Sequence, residues 1–464
     1  MKIIPYLPAV FFLFACWLLW GGCKEEKQEP LLLSGNNRWI LDSMKVYYYW
    51  NDRIPQRPED EDNSTVFFKS LLYSEDRFSF IINPGDNRTE YSSFAWYGFE
   101  YALLEKMNRH GELVGVITLV VPGGAADRMG LKRGDFFTAV NGAVISTSNA
   151  EDINRMMRLG SGLQLSMSVL AGDVLQPGTQ VSLNYIRFSE QPVYITTIFN
   201  AGGRKVGYIF YNQFNGNYDM EILSVLASMR QEKMDDLILD LRYNPGGDVS
   251  TAAKLAGALS NATADQPFVI YQANRNGGRR VSSFQQTMHE NTYQPQSFND
   301  LLEYRLNLNR VFVLTTSSTA SAAELLINNL RPYIQVIQIG GKTIGKDMAS
   351  FAIADLRNPK QTDIVLHPLV FRLYNAASQG DYSQGLSPDY VTDEFSVLPL
   401  LPFGDSRDPL IKKALEVAGG LASITANPGN PGIALKPVSS SAYSKGVGRA
   451  PLPMETKKFS YRTP

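Results

Sequence analysis

The fold is decided by one stretch, Leu237-Ile238-Leu239-Asp240-Leu241-Arg242-Tyr243-Asn244-Pro245-Gly246-Gly247, in which an apolar strand runs directly into a glycine turn. Two adjacent glycines allow the backbone to approach a ligand closely and to point its amides inward. From about residue 200 onward, similar apolar strands alternate with helical segments. This alternation predicts an α/β domain whose mostly parallel sheet is connected by crossover helices.

Two further strands of this region also end in unusual turns. The strand at 311–315 leads into Thr319-Ala320-Ser321-Ala322-Ala323-Glu324, and the strand at 336–339 leads into Gly340-Gly341-Lys342-Thr343-Ile344-Gly345-Lys346. Open α/β sheets bind ligands at the carboxyl ends of their strands, so we expect the three turns to meet. A serine between a strand and a helix can be an exposed nucleophile beside free helix amides. Taken alone, it is more often a helix N-cap.

The three motifs together resemble those of the C-terminal processing peptidases, the tail-specific serine peptidases of family S41. That family separates its nucleophilic serine from its lysine by 25 residues, which is the separation between Ser321 and Lys346. A fourth segment, Gly385-Leu386-Ser387-Pro388-Asp389, resembles the closing element of the family. The resemblance implies a protease core of the crotonase/ClpP-like type at 195–402, a polypeptide substrate and no cofactor.

The resemblance also implies roles for individual residues. Ser321 would be the nucleophile, Lys346 its general base, and the amides of Ala322, Gly246 and Gly247 would hold the oxyanion. A lysine that accepts a proton near pH 7 needs its pKa lowered by about 3 units, which desolvation can achieve.

Support for the lysine is less well defined by the sequence. Several relatives carry a glutamine four residues after the lysine, where this chain has Ser350. Glu324 is the other candidate, so only a Ser-Lys dyad is predicted. Lys342, four residues short of the family spacing, is interpreted as a solvated turn lysine.

Residues 89–190 contain short strands and glycine turns that resemble a PDZ domain of the bacterial protease type. The resemblance rests on Pro122-Gly123-Gly124, Gly130-Leu131, Gly134-Asp135 and Val140-Asn141-Gly142. PDZ domains bind an extended peptide as an added strand. The matching peptide-binding residues are Tyr97, Gly98 and Phe99. The alternative is a small β domain that binds no peptide.

The first residues predict export. Lys2 precedes an uncharged apolar run from Ile3 to Gly22, followed by Cys23-Lys24-Glu25-Glu26. This pattern is typical of a signal peptide at 1–22. The small residues before Cys23 resemble a bacterial lipobox, and the acidic residues after it resemble a Bacteroidetes surface-export tag. We therefore expect a chain lipidated on Cys23, tethered through 23–35 and placed in the cell envelope. An uncleaved transmembrane anchor is the alternative.

The rest of the sequence completes a multidomain interpretation. Residues 36–88 predict an N-terminal helical module, and 403–464 predict a last helix followed by a disordered tail. A formal charge of -1 argues against a nucleic-acid partner, and three histidines with no thiol after Cys23 argue against a metal site. The function that competes with proteolysis is that of a lipid-anchored peptide-binding protein with a catalytically silent cleft.

Overall fold

The computed structural model describes residues 32–86, 92–106, 110–172, 174–290, 297–420 and 435–441. The predicted signal peptide and Cys23, together with most of the predicted tether, lie outside these residues. Among the described residues, no helix combines the length and the apolar character needed to cross a bilayer.

The N-terminal module consists of two helices and a short strand. Its elements are α1 (Gly35–Tyr47), a 3-10 turn (Asn51–Arg53), α2 (Ser64–Ser70) and β1 (Phe80–Ile82). Apolar residues at helical spacing, among them Ile40, Met44 and Phe67, are fully buried between the helices. Asn63 caps α2 by accepting hydrogen bonds from two backbone amides of its first turn.

The second domain is an antiparallel sheet with short helices packed against it. Its elements are α3 (Ser93–Tyr97), β2 (Phe99–Lys106), β3 (Leu113–Val120), α4 (Ala125–Arg128), β4 (Phe136–Val140), β5 (Ala143–Val144), α5 (Ala150–Arg158), β6 (Leu163–Ala171) and β7 (Val174–Leu183). The strand order is β2-β3-β4-β6-β7, with β5 beside β4. The glycine turns quoted above connect these elements, which agrees with the predicted PDZ-like domain.

The third domain carries the predicted parallel sheet. Its first half comprises β8 (Val193–Ala201), β9 (Arg204–Tyr211), α6 (Asp219–Gln231), β10 (Asp236–Asp240), α7 (Val249–Leu259), β11 (Pro267–Gln272), β12 (Arg279–Ser283) and α8 (Phe284–Met288). Its second half comprises β13 (Arg310–Thr315), α9 (Ala322–Leu330), β14 (Gln335–Gly340), β15 (Met348–Ser350), β16 (Ile353–Ala354), β17 (Val365–His367), β18 (Leu369–Tyr374) and β19 (Tyr390–Val391).

The main sheet has the order β19-β14-β13-β10-β9-β8, and every pair is parallel except β8 with β9. Both faces of the central strands are buried, because Leu237 and Leu239 face helices α6, α7 and α9 while Ile238 faces the opposite side. This double burial explains the uninterrupted apolar run of β10 in the sequence. The mostly parallel sheet is therefore confirmed.

Two smaller sheets complete this domain, and one of them includes β1 of the N-terminal module. One has the order β12-β11-β18-β15, and the other has the order β1-β17-β16. Phe80 of β1 lies opposite His367 of β17, and Leu369 donates its backbone N–H to Ser79 Oγ at 2.8 Å. The module is thus joined to the protease-like core by main-chain hydrogen bonds.

The C-terminal region contains helix α10 (Pro409–Ala418) and strand β20 (Leu435–Ser440). The helix agrees with the prediction. The strand differs from the expected disordered tail, because β20 pairs antiparallel with β2. Composition predicts disorder where a segment can bury little apolar surface, but an added strand is held mainly by its backbone.

Candidate active site

The turns after β10, β13 and β14 meet at one edge of the main sheet, as the sequence predicts. Ala320 donates its backbone N–H to Asn244 O at 3.0 Å, and Ile344 donates to Thr319 O at 3.0 Å. Gly246 has a φ of +97°, and a Cβ there would lie 2.6 Å from Ser321 Cβ. Only glycine therefore fits against the candidate nucleophile.

Ser321 occupies a strained position at the N-cap of α9. Its φ and ψ are 58° and -117°, a combination that costs a residue with a side chain on the order of 1–3 kcal/mol. The Ser321 N–H donates to Glu324 Oε2 at 2.8 Å, which is one half of a capping box. The strained turn holds Ser321 at the start of the helix, partly exposed to solvent.

Glu324 is the buried centre of the site. Its Oε2 accepts the backbone N–H groups of Ser321 and Lys346, each at 2.8 Å. Its Oε1 accepts the Gly345 N–H at 2.7 Å and the Thr343 hydroxyl at 2.5 Å. One carboxylate therefore fixes the main chain of both candidate catalytic residues. Burial raises the pKa of Glu324, and the four hydrogen bonds oppose that rise.

Lys346 extends into a site with an aromatic wall. Its Nζ lies 5.6 Å from the centre of the Phe78 ring, at a distance typical of a cation–π contact. Burial lowers the pKa of Lys346, while the negative charges of Glu324 and Asp76 oppose the lowering. No hydrogen bond within the described part of the chain joins Lys346 Nζ to Ser321 Oγ. Catalytic contacts commonly shorten when substrate binds.

The N-terminal module supplies residues that the sequence reasoning missed. Arg77 Nη2 donates to three carbonyl oxygens around the lysine turn, those of Ile344 (3.3 Å), Gly345 (3.2 Å) and Ser383 (2.8 Å). The adjacent Asp76 and Phe78 contribute the charge and the ring described above. Nothing in the local sequence distinguishes Arg77 and Phe78, because their partners in the lysine turn lie more than 260 positions away.

His367 is a second residue that was not predicted. It is 3% exposed, and its ring stacks on Phe80 with centres 4.4 Å apart. Burial and, to a smaller extent, the charge of Lys346 lower the pKa of His367 to about 4. The imidazole is therefore neutral near pH 7 and forms part of the apolar surroundings of the lysine.

The predicted oxyanion donors differ in their availability. The Gly246 N–H donates to Asn244 Oδ1 at 2.8 Å, so this amide is already used within the turn. Phe214 donates its N–H to Gly246 O and accepts the N–H of Asp248. The Gly247 N–H, which lies between these two bonds in the chain, takes no part in either of them. Ala322 opens α9, and the first amide of a helix has no acceptor within the helix.

The predicted supporting residues also differ. Ser350 lies in β15 opposite Leu369, and in the part of the chain that the structure describes its hydroxyl makes no hydrogen bond. Glu324 contacts the backbone of Lys346 rather than its amino group. Lys342 is exposed, which agrees with its interpretation as a solvated turn lysine.

The predicted peptide-binding residues are largely inside the second domain. Tyr97 and Phe99 are fully buried, so their rings pack in the domain core. Gly98 adopts φ +75° and donates its N–H to Phe94 O at 2.9 Å, ending α3. In this structure, the Gly98 amide is therefore not free for a peptide carboxylate. The edge of β2 that follows is occupied by β20.

Comparison with known proteins identifies the class. Residues 205–392 match the model of peptidase family S41, residues 35–80 match that of the peptidase S41 N-terminal domain, and residues 116–170 match that of a PDZ domain. The chain belongs to peptidase family S41, a family of serine-type peptidases. Its second domain is a PDZ domain.

Two curated relatives are named carboxyl-terminal-processing protease. The protein of Picosynechococcus sp. (strain ATCC 27264 / PCC 7002 / PR-6) is 28% identical over 294 residues, covering 63% of this chain and 65% of that protein. The protein of Synechocystis sp. (strain ATCC 27184 / PCC 6803 / Kazusa) is 25% identical over 400 residues, covering 83% and 84%. The chain thus spans just under two thirds of the first relative.

Among solved structures, a Bacteroides fragilis NCTC 9343 protein assigned to the S41 proteases is similar over most of its length. The TM-score is 0.67 at 28% sequence identity, and the match covers 83% of this chain and 98% of that one. The match is longer than any single domain of this chain, so it extends over more than the protease core.

Proposed function

We propose that this chain hydrolyses peptide bonds through an acyl-enzyme on Ser321, with Lys346 as general base. The observation that carries the proposal is the Glu324 carboxylate, one oxygen of which binds the backbone of both residues at 2.8 Å. Burial of Lys346 and its lowered pKa support the same roles, because a serine hydroxyl needs an adjacent neutral base.

The proposed reaction begins when neutral Lys346 Nζ takes the proton of Ser321 Oγ, which attacks the carbonyl carbon of the scissile bond. The resulting oxyanion would accept hydrogen bonds from the Ala322 and Gly247 amides; removing one such donor typically costs about 10²–10³-fold in rate. Lys346 then gives the proton to the departing amine. Water, activated by the same amino group, releases the acyl group from Ser321.

The pH dependence follows from the direction of the pKa shift. Only neutral Lys346 can accept a proton, and its folded-state pKa lies below the ordinary value of 10.5. The rate of acylation should therefore rise with pH until that lowered pKa is passed. A reaction that used a free surface lysine would instead continue to rise toward pH 10.

The proposed substrates are exported polypeptides that the PDZ domain binds as extended strands. This part rests on the sequence, because an export signal and a lipid on Cys23 would place the peptidase in the cell envelope, either in the periplasm or on the surface. Mass spectrometry of the mature N-terminus tests it. A lipidated N-terminal Cys23 supports the anchor, whereas a chain that still begins at Met1 contradicts it.

The test of the chemistry is labelling by a serine-reactive fluorophosphonate. The wild-type chain should be labelled on Ser321, and Ser321→Ala and Lys346→Ala should lose labelling while remaining folded. Lys342→Ala is the matched control, because this exposed lysine lies four residues from Lys346 on the same turn. Hydrolysis of a peptide library by wild type completes the test.

A catalytically silent peptide-binding protein would give the opposite pattern. It would bind library peptides without cleaving them, and neither substitution would change labelling. That pattern would contradict the proposed peptidase activity.

A further inference from the structure

Strand β20 occupies the only edge of β2 that β3 does not cover. Residues Ala102 to Lys106 of β2 pair antiparallel with Ser440 to Leu435 of β20, while the other edge of β2 pairs with β3. Ser441 extends the contact, because its Oγ accepts the Tyr101 N–H at 2.8 Å and donates to Tyr101 O at 3.1 Å. The chain thus satisfies the free edge of its own PDZ domain.

The direction of β20 is that of an added peptide ligand. Leu435 lies opposite Lys106 and Ser440 lies opposite Ala102, so β20 runs toward the α3–β2 turn at Gly98. An extended peptide added antiparallel to β2 would follow the same line and need the same backbone groups. Both cannot occupy this edge at once.

The same strand also lies beside the turn that leads to the nucleophile. A cavity of about 220 Å³ is bounded by Pro437–Ser440 on one side and by Thr316, Ser317 and Ser318 on the other. These three residues belong to the turn between β13 and Ser321. An occupant of the β2 edge is therefore next to the segment that positions the nucleophile.

We propose that residues 435–441 are a built-in ligand of the PDZ domain, which extended polypeptides must displace before they are delivered to the active site. Backbone pairing provides most of the contact, and the buried side of β20 adds Leu435, which packs near Leu400. Val438 is half exposed, so the strand presents few apolar anchors. Such a ligand binds weakly and can be exchanged.

Tethering makes this weak strand an effective competitor. A segment on the same chain has an effective concentration on the order of 1 mM. An added peptide with the sequence of 435–441 and a dissociation constant of about 10 µM would therefore bind the full chain roughly 100-fold more weakly than a chain without the tail. The dissociation constant measured with the chain that lacks the tail therefore determines how much weaker the binding to the full chain should be.

The binding test uses the Ser321→Ala chain and a fluorescent peptide of residues 435–441, followed by anisotropy. We compare the full chain with a chain ending at Gly420, and with full-length S439P/S440P, which removes two backbone N–H groups from the part of β20 that pairs with Ala102 and Leu103. S439A/S440A is the matched control, because alanine keeps both amides. The shortened and proline chains should bind the peptide at least 10-fold more tightly than the full and alanine chains.

Equal affinity in the full and shortened chains would overturn the proposal, as would a shortened chain that does not bind the peptide. The regulatory consequence rests on the proposed peptidase activity and is measured separately, as turnover of a peptide substrate by chains that keep Ser321. Turnover should rise in S439P/S440P, and a fall would refute inhibition by the tail. Absence of fluorophosphonate labelling would refute the peptidase activity alone, since the binding test does not depend on it.

Discussion

Replacing Glu324 by glutamine separates the hydrogen bonding of this side chain from the effect of its negative charge on Lys346. The carboxylate accepts four hydrogen bonds, two on each oxygen, and is fully buried. Glutamine keeps the shape but offers one oxygen and one NH₂ group. The amide should turn its oxygen toward Ser321 and Lys346, because the opposite orientation would point the NH₂ at two backbone amides.

In that orientation, the NH₂ group of the glutamine faces Thr343 and the Gly345 N–H, and the stability is lost there. Thr343 can rotate its hydroxyl to accept from the NH₂, but the Gly345 N–H loses its acceptor, at about 1–3 kcal/mol. The two remaining bonds lose the charge that roughly doubles their strength, at about 1 kcal/mol each. Relief of a buried charge offsets part of this loss. We expect the free energy of unfolding to fall by about 2–4 kcal/mol, measured by urea denaturation.

The same substitution should move the pH dependence of serine labelling. The negative charge of Glu324 raises the pKa of Lys346, so neutral glutamine lowers it further. The midpoint of the labelling rate against pH should therefore shift to lower pH. Thr343→Val is the control, because it removes one hydrogen bond to Glu324 but keeps the charge and should leave the midpoint in place. An upward shift in Glu324→Gln, or unchanged stability, would refute the reasoning.

Three further substitutions test other contacts of the site. Gly246→Ala places a Cβ 2.6 Å from Ser321 Cβ at positive φ, so fluorophosphonate labelling should fall at least about 100-fold, and labelling at the wild-type rate would contradict the packing. His367→Phe should make the free energy of unfolding, measured by urea denaturation, less dependent on acidic pH. The His367 pKa is about 4 in the folded chain and 6.5 in the unfolded chain. Wild type should therefore lose about 3 kcal/mol of stability as pH falls from 6.5 toward 4, and the variant should not lose this contribution. Arg77→Ala should slow labelling about 10-fold and lower the free energy of unfolding by about 1 kcal/mol, because the hydrogen bonds to three carbonyls around the lysine turn are lost. A loss of stability at an unchanged labelling rate would assign Arg77 a structural role only.

The meeting of the three turns could be predicted because the relevant signals are local. Gly246 follows a buried strand, Ser321 follows another, and parallel strands bring their carboxyl ends to one edge. The detailed use of each amide could not be predicted. Asn244 takes the Gly246 N–H through a side-chain hydrogen bond whose geometry depends on the fold of the turn.

The contribution of the N-terminal module could not be predicted for a different reason. Arg77 and Phe78 contact a turn almost 270 residues later, and no periodic pattern in the sequence connects them to it. Strand β20 escaped prediction because strand addition uses backbone groups that every residue except proline has. Composition therefore describes its side chains but not its pairing.

The way in which Lys346 is held gives the N-terminal module a functional meaning. Ser350 makes no hydrogen bond in the described residues that could orient the amino group of Lys346. The lysine is instead fixed through its backbone, by Glu324 from the core and by Arg77, which binds the two preceding carbonyls. The centre of the Phe78 ring lies 5.6 Å from the Lys346 amino group, and burial lowers the pKa of that group. In the proposed mechanism, a base held in this way would keep its amino group free to turn toward Ser321 when a peptide excludes water, and catalysis would then require residues 76–80 to be docked on the lysine turn.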